Sequence, residues 1–199
     1  FVVASPLRSF PLAAAPPRRI AGDIVPSDDP NVQLQIHRVP FGVTLAMCGF
    51  NYPLALIGRK IGPALVTGNT AIIKSHSATP VTASEFCRVC DEVGLPKGVI
   101  NMVNGKGSEI GPQLVGSPIT QLISLTGSTG AGRQIMRMAA DNIAGLVLEL
   151  GGKAPFIVLK DADMDKVVEA AVISRYGNAG QVCICNEMVM VDESIADEF

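Results

Sequence analysis

Hydrophobic and polar positions along this chain change period repeatedly, and those changes outline its elements. Val32-Gln33-Leu34-Gln35-Ile36-His37-Arg38-Val39 alternates apolar and polar residues, the period-two pattern of a half-exposed strand. With Asp23-Ile24-Val25-Pro26 before it and the turn formers Ser27-Asp28-Asp29-Pro30 between, the pattern predicts a hairpin over 23–39. Such a hairpin is either a plain edge ribbon or, with its polar face outward, an arm for another subunit. From Gly42 onward, short aliphatic runs alternate with segments of helical spacing. Strands are predicted over 42–47, 69–74, 99–103, 121–125 and 145–150. Helices are predicted over 54–65, from Pro80 to about Val93, and over 108–115 and 130–140. Thr79 reads as an N-cap ahead of Pro80 at the first helical position, and Gly94 as the stop. A further strand over 154–159 and an amphipathic helix over 164–174 begin a new unit. The alternation predicts an α/β fold, an open parallel sheet with helices on both faces.

The 199 residues allow one domain or two small ones, and 48% hydrophobic with 5% aromatic residues implies an aliphatic core. A formal net charge of -2 gives no electrostatic reason to expect nucleic acid or an anionic membrane surface. The uncharged run from Phe41 to Gly58 looks superficially like a membrane span. Gly42, Gly49, Asn51 and Pro53 interrupt it, and hydrocarbon penalises unsatisfied backbone and Asn51 alike, so no membrane segment is expected. Residues 1–22 read as irregular. Their Arg8, Arg18 and Arg19 without any acid are compatible with a transit peptide and equally with an interior start, since the chain begins at Phe1.

The five cysteines are Cys48, Cys87, Cys90, Cys183 and Cys185. An odd number without a small-domain framework fits reduced thiols in a cytoplasmic compartment. Cys87 and Cys90 with Cys183 and Cys185 offer four thiolates for zinc. Yet the first pair lies inside a helical pattern and the gap to the second is unlike a compact zinc motif, so no metal is expected.

Two segments carry chemistry. Asn178-Ala179-Gly180-Gln181-Val182-Cys183 places a thiol after small residues that permit close backbone approach. Glu149-Leu150-Gly151-Gly152-Lys153 ends an apolar run on a lone carboxylate before a glycine pair. A cysteine nucleophile and a separate carboxylate base are the minimum kit for making and then hydrolysing a thioester. Without further context Cys183 reads first as a small inert hydrophobe, and Glu149 can be a strand-end carboxylate paired with Lys153. Ligands of an open parallel sheet bind beyond the carboxyl ends of its strands, where Asn51, Lys74, Gly105 to Gly107 and Gly127-Ser128 fall. The loop from Gly127 to Gly132 opens a helix, so it is either a pyrophosphate cradle or a simple turn.

The Glu149 and Cys183 motifs resemble those of the aldehyde dehydrogenase superfamily, and the resemblance runs at ordered spacing from about Arg19 to the end. It implies Cys183 as nucleophile, Glu149 as general base and Asn51 as oxyanion donor. Pro63 to Lys74 looks like the family's adenosine-binding strand, with Lys74 bonding the ribose. Ser124-Leu125-Thr126-Gly127-Ser128 looks like its pyrophosphate loop, and Gly105-Lys106-Gly107 like the adjacent glycine turn. The cofactor contacts it implies are therefore Lys74, Ser77, Gly107, Gly127, Ser128 and Leu150. The implied fold is a Rossmann-like NAD(P)-binding domain over 40–150, then the beginning of a second α/β catalytic domain over 151–199. The implied activity is oxidation of a small aldehyde to the acid with NAD or NADP, in a cytoplasmic homo-oligomer once the protein is full length.

Two departures matter. Ser75-His76-Ser77 stands where the family usually has Pro-Ser-Glu, so the carboxylate that repels a 2′-phosphate is missing and tolerance of NADP alongside NAD is expected. His76 is either a phosphate partner or an exposed loop histidine. Gly49-Phe50-Asn51-Tyr52-Pro53 replaces Pro-Trp-Asn-Phe-Pro while keeping Asn51 in register. Ser174-Arg175 with Gly180 to Glu187 looks most like the lactaldehyde and glycolaldehyde dehydrogenases. Family chains are much longer, so this one reads as a fragment. The alternatives are a catalytically silent nucleotide-binding or structural module, and a coenzyme A-acylating dehydrogenase.

Overall fold

The computed structural model describes residues 20–199. The irregular segment expected over 1–22 falls almost wholly outside the described residues, and 20–22 carry no regular structure. The chain divides into two units, the first ending at Glu149 and the second starting at Leu150.

In the first unit, β1 (Asp23–Val25) and β2 (Leu34–Ile36) form the antiparallel hairpin, with Ile24 opposite Gln35. One expectation fails here. Period-two alternation implied one covered face, but Ile24, Leu34 and Ile36 are all exposed. A two-stranded ribbon with no layer against it buries neither face.

Strands β3 (Val43–Met47), β4 (Thr70–Lys74), β5 (Ile100–Val103), β6 (Thr120–Thr126) and β7 (Gly145–Glu149) form one parallel sheet in the order β5-β4-β3-β6-β7. Helices α1 (Pro53–Val66), α2 (Pro80–Glu92), α3 (Gly107–Val115) and α4 (Thr129–Ala139) connect them. Right-handed crossovers put α1 and α2 on one face and α3 and α4 on the other. Covered on both sides, the strands need continuous aliphatic runs. Ala46, Ala71 and Ile73 accordingly pack with Ile57 and Ile61 of α1 and Ala83 of α2. Full burial of each such isoleucine contributes about 1.5–3 kcal/mol.

The chain leaves β3 toward β4 and β5 on one side and returns to β6 and β7 on the other, so the topological switch point lies between β3 and β6. Register keeps the strand ends level. Met47 sits opposite both Lys74 and Leu125, and Thr126 opposite Glu149.

Helix starts divide into two kinds. Ser128 caps α4, its hydroxyl oxygen accepting from the Ala131 amide at 3.1 Å. Thr79 occupies the N-cap of α2 but makes no capping bond, contrary to the sequence reading, and its hydroxyl is buried without a partner. Its ψ of 50° departs from the extended conformation that aims a cap at the first-turn amides. Pro80, with its fixed φ, sets that entry alone.

The second unit is a βαβ: β8 (Ala154–Val158), α5 (Met164–Tyr176) and β9 (Asn186–Val191), with β8 and β9 parallel. A helix forms where one was expected, but it is not amphipathic: its apolar residues share no single face, none of α5 is buried, and Val172 and Ile173 are exposed. Two strands offer too little surface to cover a helix face.

Candidate dinucleotide crevice and cysteine loop

Within the first unit, the turn after β3 passes close to the end of β6. A Cβ on Gly49 would lie 3.4 Å from Asn51 Oδ1 and 3.4 Å from the Thr126 carbonyl oxygen. The Asn51 side chain therefore stands beside the last residue of β6. The Gly127 amide donates to the Glu149 carbonyl at 3.0 Å, which ties the ends of β6 and β7 together. Asn51, Gly127 and Ser128 thus stand at the switch point, and the exposed Glu149 ends β7 one strand further on.

Lys74 ends β4 and is only 6% exposed; burial lowers its pKa, and the Cys48 thiol opposes that shift. A Cβ on Gly107, the first residue of α3, would stand 3.9 Å from Lys74 Nζ. Ser77 is exposed in the turn that follows. His76 is not the exposed loop residue of one sequence reading. It is half-buried, its ring 5.4 Å from Phe50 and its Nδ1 accepting from the Ala78 amide.

The sequence reading gave no role to Lys60. Its Nζ donates to Ser124 Oγ at 2.8 Å, and burial lowers its pKa against the pull of Cys48 and Glu149. Its signal was available: Lys60 falls three residues after buried Ile57 and one before buried Ile61, on the inward face of α1. Burial pushes the neighbouring Cys48 thiol up to about 11, with Lys60 and Lys74 pulling it down. A thiol held neutral in this way is not a nucleophile at neutral pH.

Cys87 and Cys90 both lie on α2, and burial raises the pKa of each. They line a cavity of about 470 Å³ with Lys97, Gly98 and Ile100, where β5 begins. That is the amino end of the strand, away from the crevice. Among the described residues no group of three or more His, Cys, Asp or Glu is arranged to hold a metal ion. No described helix is long and apolar enough to cross a membrane.

In the second unit, the loop from Gly177 to Cys185 joins α5 to β9. Asn178 (φ 51°) and Ala179 (φ 56°) are left-handed, and Gly180 follows at φ 74°. Cys183 is exposed near the end of this loop, whereas Cys185 is 4% exposed. Gly152 passes against it: a Cβ there would lie 3.0 Å from the Cys183 carbonyl oxygen, so only glycine fits without displacing the loop. Leu150, half-buried, opens this unit.

The first unit is a doubly wound, Rossmann-like α/β domain with polar groups collected at its switch point. Residues 3–199 match the Aldehyde dehydrogenase family, and the chain belongs to that family. It is 47% identical to the lactaldehyde dehydrogenase of Escherichia coli (strain K12), over 92% of this chain and 38% of that protein. It is 44% identical to the D-glyceraldehyde dehydrogenase (NADP(+)) of Picrophilus torridus, over 92% of this chain and 37% of the relative. A solved 3,6-anhydro-L-galactose dehydrogenase in complex with NAP superposes with a TM-score of 0.94 at 47% identity, covering 99% of this chain and 41% of that one. The chain thus spans well under half the length of the relatives it matches.

Proposed function

We propose that residues 40–150 form the NAD(P)-binding part, and 151–199 the beginning of the catalytic part, of an enzyme that oxidises a small aldehyde to its acid. The observation that carries this reading is that Asn51, Gly127, Ser128 and Glu149 share the carboxyl end of β3, β6 and β7 beside the switch point. The residues present fit a dinucleotide. Gly107 leaves the space beside Lys74 Nζ clear, and Ser128, although it accepts from Ala131, keeps its hydroxyl proton to donate. Lys74 would bond the ribose, Gly127 and Ser128 the pyrophosphate, and Leu150 would contact the cofactor. When bound, the nicotinamide supplies the hydride acceptor for the oxidation.

The chain's own groups carry the rest. The Cys183 thiolate adds to the aldehyde carbon, and the carbonyl electron pair moves onto oxygen. The Asn51 amide and the Cys183 backbone N–H donate to that oxyanion, each contributing roughly 3 kcal/mol. After oxidation to the thioester, Glu149 takes a proton from water, which attacks the carbonyl carbon and releases the acid and the Cys183 thiolate. Ser77 offers a hydroxyl where a carboxylate would repel a 2′-phosphate, so NADP is accepted with NAD. The NADP(+)-dependent relative and the NAP complex support this. The exposed apolar hairpin supports self-association in the full-length protein, and reduced thiols suit a cytoplasmic setting.

The test is aldehyde-dependent appearance of reduced cofactor from NAD and NADP, with and without coenzyme A, on the protein and on Cys183→Ala. Turnover that needs no coenzyme A and disappears in Cys183→Ala is expected. Cofactor binding without turnover would assign the silent module instead. Turnover that survives in Cys183→Ala would remove the nucleophile.

A further inference from the structure

One guanidinium contacts the exit of the loop that carries Cys183. Arg175 lies in the last turn of α5, and its Nη1 donates to Cys185 Sγ at 3.2 Å and to Glu187 Oε1 at 3.1 Å. The Cys185 thiol has two acceptors for its one proton, the Gly180 carbonyl oxygen at 3.6 Å and Glu187 Oε1 at 3.7 Å. The sulfur thus packs against the loop backbone at Gly180. Gly180 also runs close to the helix end, since a Cβ there would lie 3.3 Å from the Arg175 carbonyl oxygen. Next door, Ser174 Oγ donates to Asn186 Oδ1 at 2.9 Å. Two left-handed non-glycine residues, Asn178 and Ala179, precede Gly180, and such backbone persists only where its surroundings over-determine it.

An exposed Arg–Glu pair holds little on its own. Here the same donor also reaches a buried sulfur, and that sulfur lies against both the loop backbone at Gly180 and the Glu187 carboxylate, so the pair is coupled to the conformation of the loop. We propose that Arg175 is a positioning residue: by holding Cys185 and Glu187 at the loop's exit it fixes the conformation from which Cys183 is presented. The proposal rests on the reading of Cys183 as the nucleophile and adds the group that holds the loop.

The experiment compares the full chain with Arg175→Ala, Arg175→Lys and Glu187→Gln by amide hydrogen exchange and by the rate at which iodoacetamide alkylates Cys183. In Arg175→Ala the amides of 178–185 should exchange about tenfold faster, the loss of one charge-assisted hydrogen bond, with β3 to β7 unchanged. The alkylation rate at Cys183 should change in the same variant. Lysine keeps a donor near both partners and should restore part of the protection; Glu187→Gln keeps an acceptor and should have the smaller effect. In turnover, kcat should fall while the KM for dinucleotide holds. Wild-type exchange and alkylation in Arg175→Ala would overturn the proposal. So would equal loss of protection in loop and sheet, which marks a residue of the fold. The exchange readout does not depend on catalysis, so it stands or falls separately from the Cys183→Ala test.

Discussion

At the scale of single residues, environment sorts the cysteines more sharply than sequence does. Cys48 and Cys183 are both thiols near suspected chemistry, but only Cys183 is exposed. Burial lifts the Cys48 pKa to about 11, above the value it has in the unfolded chain. The native protein therefore keeps that proton over a range where the unfolded chain has released it. The stability Cys48 contributes is complete below the unfolded pKa and is lost as pH rises toward the folded value. Urea denaturation of the protein and of Cys48→Ala should show the difference between them shrinking by about 1 kcal/mol from about pH 8 to about pH 10. A pH-independent difference would mean the thiol is not desolvated. Lys60 and Lys74 shift in the opposite direction, but they are present in both proteins.

At the scale of elements, α4 puts an observed structural role and a proposed ligand role on one residue. Ser128 caps the helix through its oxygen, and the same hydroxyl is the one proposed to donate to the pyrophosphate. The two roles separate by substitution. Ser128→Ala should cost about 1 kcal/mol of stability, whereas Ser128→Gly, a tolerable cap, should cost only a few tenths. Both remove the hydroxyl, so both should weaken dinucleotide binding to a similar degree in calorimetry. An affinity loss that tracks stability instead would assign Ser128 to the helix alone. Most strands and helices were legible within one or two residues, because their aliphatic runs and Gly or Pro boundaries are local signals. The failed Thr79 cap was not legible. The preference for threonine is real, but the backbone angle that aims its hydroxyl is set by packing.

At the scale of the whole molecule, the two units differ in how much core each has. The first covers a five-stranded sheet on both faces, and Leu45 and Ile123 are fully buried. The second has two strands and a helix with no buried residue. Amides of β3 and β6 should therefore exchange only through opening of the sheet, while those of β8 and β9 should open at much lower free energy. Equal protection in the two sheets would contradict this.

The sequence by itself determined the α/β alternation, the parallel sheet and the positions of Asn51, Lys74, Gly107, Gly127, Ser128, Glu149 and Cys183 on loops and strand ends. Those follow from local periodicity and from short motifs. Only the tertiary structure decided that Asn51 meets the end of β6, beside Gly127 and Ser128, at the junction of β3 and β6. It alone revealed that Lys60, already on the inward face of its helix by spacing, finds Ser124, and that Arg175 reaches across the cysteine loop to Cys185 and Glu187. The reason is physical. Strand order and side-chain contacts join residues far apart in the chain, and no local pattern records which distant partner a buried ammonium or guanidinium will find.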